Sequence, residues 1–252
     1  MLAVISPAKS LDFSRPLPPL GASAPRFAGE AGRLAAAAAK LSKRRLAELM
    51  RVSDDLARLN AGRFRDFAVQ DSRPALYAFA GDVYRGFEVH SLDSEAVDFA
   101  QNHLRILSGL YGLLRPLDEI RPYRLEMGTR WAPGGAKNLY GFWDDRIARA
   151  LAEDLEAAGG GAVINLASRE YWRAVEARLP EGVPVIEIDF REEGPGGPRF
   201  NSFAAKRARG MMARFICEHR LDDPRALKGF DSDGYAFDPE NSDEGRWRFS
   251  RT

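Results

Sequence analysis

The sequence LRILSGLYGLLRPLD, residues 104–118, decides the fold prediction because it places two glycines between two apolar segments. A helical pattern of apolar residues begins near Ser94 and runs into this stretch. Gly109 and Gly112 then indicate a tight turn before the second apolar segment. The pattern predicts two helices joined by a short hydrophobic hairpin over about residues 94–121.

Two helices joined in this way can bind a phosphate. The start of the second helix has backbone N–H groups without intrahelical partners, and the helix dipole is positive there. The stretch therefore resembles a helix-hairpin-helix nucleic-acid module. That module usually has one residue between its glycines, whereas Leu110 and Tyr111 both intervene here, and Pro116 lies within the second segment. An ordinary glycine-rich connection between helices is the alternative.

Outside this stretch, strands and helices are predicted in mixed order. Apolar runs bounded by Gly or Pro predict strands at residues 2–5, 75–80, 162–165 and 183–190, the last in a hairpin with 200–203 around a turn at 194–198. Amphipathic patterns predict helices near 30–41, 43–51, 53–67, 140–158 and 204–220, with Ser42 and Ser53 as N-caps. We therefore expect an α+β fold, a single compact domain over residues 1–252 with a mixed β-sheet, surrounding helices and the helix-hairpin-helix element.

The composition excludes several classes of protein. Of the 252 residues, 45% are hydrophobic, which is enough to build a core and argues against disorder. The chain has no run of about 18 apolar residues and no secretory signal at its start, so we expect no membrane partner. Cys217 is the single cysteine and cannot form an intramolecular disulfide. These features predict a cytoplasmic protein.

Charge is balanced overall but separated along the chain. The 37 Lys and Arg side chains against 36 Asp and Glu give a net charge of +1, so no field of one sign surrounds the molecule. Residues 30–51 and 204–220 each carry a charge of +4, whereas residues 222–245 carry −6. A nucleic-acid partner is therefore compatible with the sequence, but only through one face.

Several polar residues follow predicted strands or lie in dense polar segments. Lys9 follows the first strand, and Arg124 and Glu126, two apart in an extended segment, point to the same side. This pattern fits either internal ion pairs or one small-ligand pocket, and Ser168 fits a helix N-cap better than a nucleophile. The candidates for the pocket are Lys9, Asp12, Asp82, Tyr84, Tyr123, Arg124, Glu126, Asn165 and Ser168.

The sequence predicts no metal site and no cofactor. His90, His103 and His219 are too dispersed for a metal-binding motif, and His219 diverges from Cys217 on a predicted helix. Direct iron binding by the acidic residues 222–245 is poorly supported, since no ligand spacing defines a site there.

Long motifs distributed along the chain resemble the YaaA family of bacterial peroxide-stress proteins. The motifs are ISPAKSLD (5–12), GDVY (81–84), LSGLYGLLRPLD (107–118), PYRLEMG (122–128), NLAS (165–168), AKRARG (205–210) and GY (234–235). The resemblance implies a cytoplasmic protein of the oxidative stress response that limits damage from iron and hydrogen peroxide. It also implies DNA binding through a helix-hairpin-helix element beside a basic cleft, to which Lys9 and Arg124 would add charge. Carried onto this chain, the DNA-binding residues would be Arg105, Gly109, Gly112, Arg115, Lys206, Arg207 and Arg209.

Two functions from different classes follow. The leading hypothesis is a monomeric DNA-binding protein of the peroxide stress response, which holds double-stranded or distorted DNA through sequence-independent phosphate contacts. The alternative is an enzyme that acts on a damaged base, nucleotide or small metabolite in a pocket near Lys9, Arg124 and Glu126. The enzyme hypothesis requires that these side chains lie within hydrogen-bond reach of one substrate.

Overall fold

The computed structural model of the chain describes residues 1–19, 21–194 and 197–252. The strands are β1 Leu2–Ile5, β2 Ser10–Leu11, β3 Arg73–Pro74, β4 Phe79–Ala80, β5 Leu104–Ser108, β6 Gly112–Leu114, β7 Glu119–Ile120, β8 Val163–Leu166, β9 Val185–Glu192, β10 Ala236–Asp238 and β11 Arg246–Arg251. The helices are α1 Ala28–Ala38, α2 Lys43–Met50, α3 Asp54–Arg65, α4 Ala75–Ala78, α5 Asp82–Phe87, α6 Ser94–His103, α7 Leu139–Trp143, α8 Arg146–Ala157, α9 Arg169–Trp172 and α10 Ser202–Glu218.

The central sheet has seven strands in the order β10-β11-β9-β8-β1-β5-β6. The inner strands β11, β9, β8, β1 and β5 are parallel, and antiparallel β10 and β6 flank them. Parallel strands are covered on both faces and so consist of continuous apolar runs, as in β1, whose four residues are fully buried. The predicted α+β fold with a mixed sheet is confirmed. The carboxyl ends of the inner strands all lie at one side of the sheet, which we call the carboxyl edge.

The stretch 104–118 forms a β-hairpin, so the predicted helix-hairpin-helix element over 94–121 is wrong. The helix that begins at Ser94 ends at His103, and the chain then enters β5 instead of turning into a second helix. β5 and β6 pair antiparallel, with Leu107 opposite Leu113. The apolar residues of this stretch are therefore strand residues inside the sheet.

Long-range packing explains why a β-hairpin forms here. Gly112 has φ +69°, and a Cβ atom on it would lie 2.8 Å from the Trp143 ring. Only glycine fits both this backbone conformation and this close contact. The Ser108 hydroxyl oxygen accepts the backbone N–H groups of Leu110 and Tyr111 and closes the turn.

A pair of helices with a short connection lies earlier in the chain. α2 and α3 pack against each other and are joined by residues 51–53, with Arg51 in the left-handed conformation at φ 51°. Ser42 and Ser53 accept backbone N–H groups at the starts of the two helices, so both predicted N-caps are confirmed. We call this pair the α2–α3 hairpin.

Three other elements differ from the sequence predictions. The predicted strand at 75–80 is a helical turn, α4, followed by the short strand β4. The predicted helix at 140–158 is divided into α7 and α8 at Asp144, which has φ 49°. The predicted strand at 200–203 is the start of α10, because the Asn201 side chain accepts two backbone N–H groups and caps that helix.

The predicted turn at 194–198 includes Pro195 and Gly196, which lie outside the described residues. The predicted strands at 2–5, 162–165 and 183–190 correspond to β1, β8 and β9.

Within the described residues, none of the helices combines the length and apolarity needed to cross a lipid bilayer.

Helices α5 and α10 touch through their backbones. A Cβ atom on Gly210 would lie 1.8 Å from the Val83 carbonyl oxygen, and one on Gly86 would lie 2.1 Å from the Arg207 carbonyl oxygen. Real side-chain carbons do not approach that closely, so the two helices can cross only because both positions are glycine. This contact holds α5 and its Tyr84 next to the sheet, since α10 also packs on β1 and β9.

Candidate functional site

The carboxyl ends of β1 and β8 meet at the middle of the carboxyl edge. Ser6 follows β1 directly; its hydroxyl oxygen accepts the backbone N–H of Ser168 at 2.8 Å and lies 3.2 Å from the Ser168 hydroxyl. Tyr84 on α5 donates its hydroxyl hydrogen bond to the Ser6 carbonyl oxygen at 3.2 Å. Two predicted pocket residues, Tyr84 and Ser168, are therefore joined through Ser6. Polar groups at this position commonly bind ligands in parallel sheets.

Lys9, Arg124 and Glu126 form an ion cluster. The Lys9 Nζ and the Arg124 Nη2 both approach the Glu126 Oε1, at 3.4 and 3.3 Å. The Glu126 Oε1 and the Arg124 Nε are nevertheless buried and make no hydrogen bond with the described residues. Because buried polar atoms are nearly always hydrogen-bonded, the cluster holds one acceptor and one donor with unused capacity.

Exposure differs within this cluster. The Lys9 side chain is 63% exposed, whereas those of Arg124 and Glu126 are 17% and 22% exposed. A flexible lysine with little packing can move aside at small cost, while the other two side chains are held by their surroundings. Movement of Lys9 would open the Glu126 carboxylate to a ligand.

Three buried tyrosines lie near the cluster. Burial raises the pKa of Tyr84, Tyr123 and Tyr171, and the proximity of Tyr123 raises the pKa of the other two further. The Tyr123 hydroxyl is 2.6 Å from the Ser108 hydroxyl at the end of β5. All three phenols stay protonated at neutral pH, so they shape the site and form hydrogen bonds without acting as bases.

Asp12, Asp82 and Asn165 do not join the cluster. The Asp12 carboxylate accepts hydrogen bonds from the backbone and hydroxyl of Ser14, which hold its pKa below the ordinary value. The Asp82 Oδ1 lies 3.8 Å from the Nη1 of Arg85, which is one turn further along α5. The Asn165 side chain accepts the backbone N–H two positions later. Each of these groups stabilises its own segment.

Sequence reasoning missed Ser6, Ser108, Glu170 and Tyr171. Ser6 carried a usable signal, because it is the first polar residue after a predicted strand. Glu170 accepts the backbone N–H of Gly128 at 2.8 Å and so joins α9 to the segment that carries Glu126. Nothing in the local sequence of Glu170 or Tyr171 marks this long-range contact.

Two of the arginines expected to bind DNA are engaged inside the protein. Arg105 is only 6% exposed, and its Nε donates to the Asp154 carboxylate at 2.5 Å. Arg115 donates to the Asp118 carboxylate from both Nε and Nη2, at 3.1 and 3.0 Å. A phosphate could bind either guanidinium only by displacing a carboxylate, and the Arg105 site is also closed to solvent.

The remaining expected DNA contacts divide into buried and exposed groups. Gly109 and Gly112 are buried in the β-hairpin. Burial lowers the pKa of Arg209, and its buried Nε has no hydrogen-bond partner among the described residues. Lys206 and Arg207 are exposed on α10. Of the expected set, these two are the side chains that a phosphate can reach directly.

The sequence profile of the family described as peroxide stress protein YaaA matches residues 1–241. The chain belongs to the YaaA family. It is 65% identical over 252 residues to a UPF0246 protein of Rhizorhabdus wittichii, and the alignment covers 100% of both proteins. A UPF0246 protein of Burkholderia cenocepacia is 48% identical over 257 residues, covering 100% of this chain and 98% of that protein. A UPF0246 protein of Hahella chejuensis is 46% identical over 256 residues, covering 100% and 99%.

The single cysteine of this YaaA-family chain is poorly suited to react with peroxide. Cys217 is fully buried on α10, and burial raises the pKa of its thiol. Thiolates are the reactive form, so a protonated thiol without solvent access is inert. Within the described residues, no three His, Cys, Asp or Glu side chains are grouped as metal ligands.

Exposed cations lie at the same carboxyl edge of the YaaA-family fold. Arg169 begins α9 two residues beyond Ala167, where β8 has just ended. α10 also begins at this edge, since the Asn201 side chain that caps it donates to Glu192 at the end of β9, at 2.9 Å. We call three exposed residues in the first two turns of α9 and α10 the edge cations. They are Arg169, Lys206 and Arg207, and they make no ion pair with a carboxylate of the described residues.

Proposed function

We propose that this YaaA-family protein binds DNA through its phosphates along the carboxyl edge and thereby shields DNA during peroxide stress. The observation that carries the proposal is the exposure of the edge cations without a carboxylate partner among the described residues. Unpaired guanidinium and ammonium groups can contact phosphate without giving up an existing ion pair. Each such contact also releases counterions from the DNA, which favours binding.

The charge distribution supports binding on one face only. The net charge of +1 gives no general attraction to DNA, and the acidic residues 222–245 repel it. Contacts to phosphate carry no base information, so the proposed binding is independent of sequence and of modest affinity.

The triple variant Arg169→Ala, Lys206→Ala, Arg207→Ala should weaken duplex binding and flatten its salt dependence. Each lost phosphate contact lowers the slope of log affinity against log salt by about 1. The affinity for two unrelated duplexes is measured by fluorescence anisotropy at about 50 mM and about 200 mM salt, the range over which such contacts weaken strongly. Unchanged affinity and slope in the triple variant would refute binding at the carboxyl edge.

A matched control removes the same charge from the α2–α3 hairpin. The control variant is Lys43→Ala, Arg51→Ala, Arg65→Ala, and all three side chains are exposed. We expect it to retain most of the duplex affinity, because it leaves the carboxyl edge intact. An equal loss in both triple variants would show that overall charge, and not the edge, determines binding.

A second candidate function is an enzyme acting on a base or nucleotide at the Lys9, Arg124 and Glu126 cluster. The specific observation is a pair of buried atoms that make no hydrogen bond with the described residues, the Glu126 Oε1 acceptor and the Arg124 Nε donor. A nucleobase edge presents a donor and an acceptor side by side and would satisfy both atoms at once. Lys9 is exposed enough to move aside and then contact the phosphate of the same nucleotide.

Glu126→Gln should abolish stabilisation by nucleotides if this second function is correct. The probe is the set of four deoxynucleoside monophosphates at millimolar concentration, and the readout is the rise in Tm, because a ligand that binds only the folded state raises it. Glu193→Gln, at an exposed carboxylate, is the control and should behave as the wild type. The same rise in Glu126→Gln, or no rise in the wild type, would contradict the assignment.

A further inference from the structure

Two phenylalanines are exposed at the start of α10. Phe200 is 51% exposed and Phe203 is 60% exposed. They are the only aromatic residues among the exposed large hydrophobic side chains of the described part of the chain. Two aromatic rings within four residues therefore leave apolar surface in contact with water, which is typical of a binding site.

Packing inside the protein does not account for these rings. Phe200 directly precedes the N-cap Asn201, where an apolar residue usually packs back onto the helix. Its ring instead lies under the Arg191 guanidinium, 5.4 Å from the ring centroid. Phe203 is the second residue of α10 and points away from the core, whereas the next two residues, Ala204 and Ala205, are buried.

Positive charge surrounds the two rings. Lys206 and Arg207 follow Phe203 by three and four positions on the same helix, so their side chains are its neighbours on the helix surface. The first turn of α10 contains no acidic residue, so the positive end of the helix dipole is not neutralised there. The nearby Glu192 carboxylate is occupied by Arg251 at 2.6 Å and by Asn201 at 2.9 Å.

We propose that this surface binds unpaired bases of DNA, with the bases stacked on Phe200 and Phe203 and the adjacent phosphates held by Lys206 and Arg207. Single strands expose base faces that a duplex hides, and stacking on aromatic side chains tolerates any base. The Arg191 guanidinium keeps one Phe200 face covered and leaves the other for a base. The inference rests on the proposed DNA binding and names its preferred form, which is DNA with single-stranded or unstacked segments.

Phe200→Ala, Phe203→Ala tests this inference. The affinity for a single-stranded oligothymidylate should fall by about 10-fold or more, because each lost stacking contact costs about 1–3 kcal/mol. Affinity for a duplex of the same length should stay near the wild-type value. A single-stranded oligonucleotide with a central 2-aminopurine should show fluorescence quenching on binding the wild type and not on binding the variant.

A matched double variant removes exposed apolar surface elsewhere. Leu56→Ala, Leu59→Ala acts on α3, where these side chains are 39% and 49% exposed, and should keep both affinities and the quenching. If the wild type binds duplex DNA and the phenylalanine variant binds single strands as tightly as the wild type does, the inference is overturned while the proposed function stands. If the wild type binds neither form, both are overturned. A wild-type dimer that the phenylalanine variant converts to monomers, without change in DNA affinity, would assign the rings to self-association and also overturn the inference.

Discussion

Asp154→Ala should lower the free energy of unfolding by about 3–5 kcal/mol, because it leaves a buried guanidinium charge without its partner. Asp154 is 7% exposed and binds Arg105 at 2.5 Å through one carboxylate oxygen. Its other oxygen binds Arg26, also at 2.5 Å. Burial already lowers the pKa of Arg105, and loss of the carboxylate removes the main group that favours its charged form. Urea unfolding followed by circular dichroism measures the change.

An exposed carboxylate on α3 provides the control for this prediction. Asp55 is 86% exposed and pairs with Arg58 at 3.0 Å, so Asp55→Ala should cost less than about 1 kcal/mol. A second variant, Arg105→Met with Asp154→Leu, replaces both charges by apolar groups and should recover much of the lost stability. If Asp154→Ala unfolds at the wild-type urea concentration, the buried charge of Arg105 does not depend on this carboxylate for its stability. The ion pair would then contribute little to the free energy of unfolding, and the prediction would be wrong.

Gly210→Ala should lower the free energy of unfolding by about 3 kcal/mol. This value is at the upper end of the range for adding a methyl or methylene group to a packed interior. The new methyl group would lie 1.8 Å from the Val83 carbonyl oxygen, so α5 and α10 must move apart. That movement separates well-packed helices and displaces Tyr84 from Ser6 at the carboxyl edge. The measurement is again urea unfolding, together with the duplex affinity.

Gly62 on α3 gives a matched glycine-to-alanine control. Nothing lies within 4 Å of a Cβ atom built on Gly62, so Gly62→Ala meets no obstacle. Its helical conformation should make the substitution stabilising by about 0.4–1 kcal/mol, since alanine restricts the unfolded chain. Equal stability changes in the two variants would mean that α5 and α10 tolerate a wider separation.

Local sequence signals were sufficient for several elements. The run at 2–5 predicted β1, because four consecutive apolar residues before Ser-Pro are typical of a strand buried on both faces. Ser42 and Ser53 predicted their helix starts, because N-capping depends on only three neighbouring residues. Such contacts are close in sequence and so leave a readable pattern.

The hairpin at 104–114 could not be predicted in this way. Its glycine spacing fits a turn between helices or between strands, and the choice depends on Trp143, which lies about 30 residues away in sequence and packs over Gly112. Arg105 has the sequence pattern of a surface cation for the same reason, because its partner Asp154 lies 49 positions further along the chain.

The candidate site was predicted in part. Lys9, Arg124 and Glu126 stood out because they follow a strand or lie in a polar segment, and the structure brings the three together. The sequence predicts a strand at 200–203, because a short aromatic segment after a turn has the same composition in a strand as at a helix start. Only the cap at Asn201 distinguishes the two.

The position of β11 in the sheet constrains how the protein can be synthesised and folded. β11, residues 246–251, lies between β9 and β10 and pairs with both. Until these residues leave the ribosome, the eight-residue β9 presents an open hydrogen-bonding side to other nascent chains. The central sheet is therefore incomplete until residue 246 has been synthesised, and a chain that stops before this residue would leave one side of β9 open to aggregation.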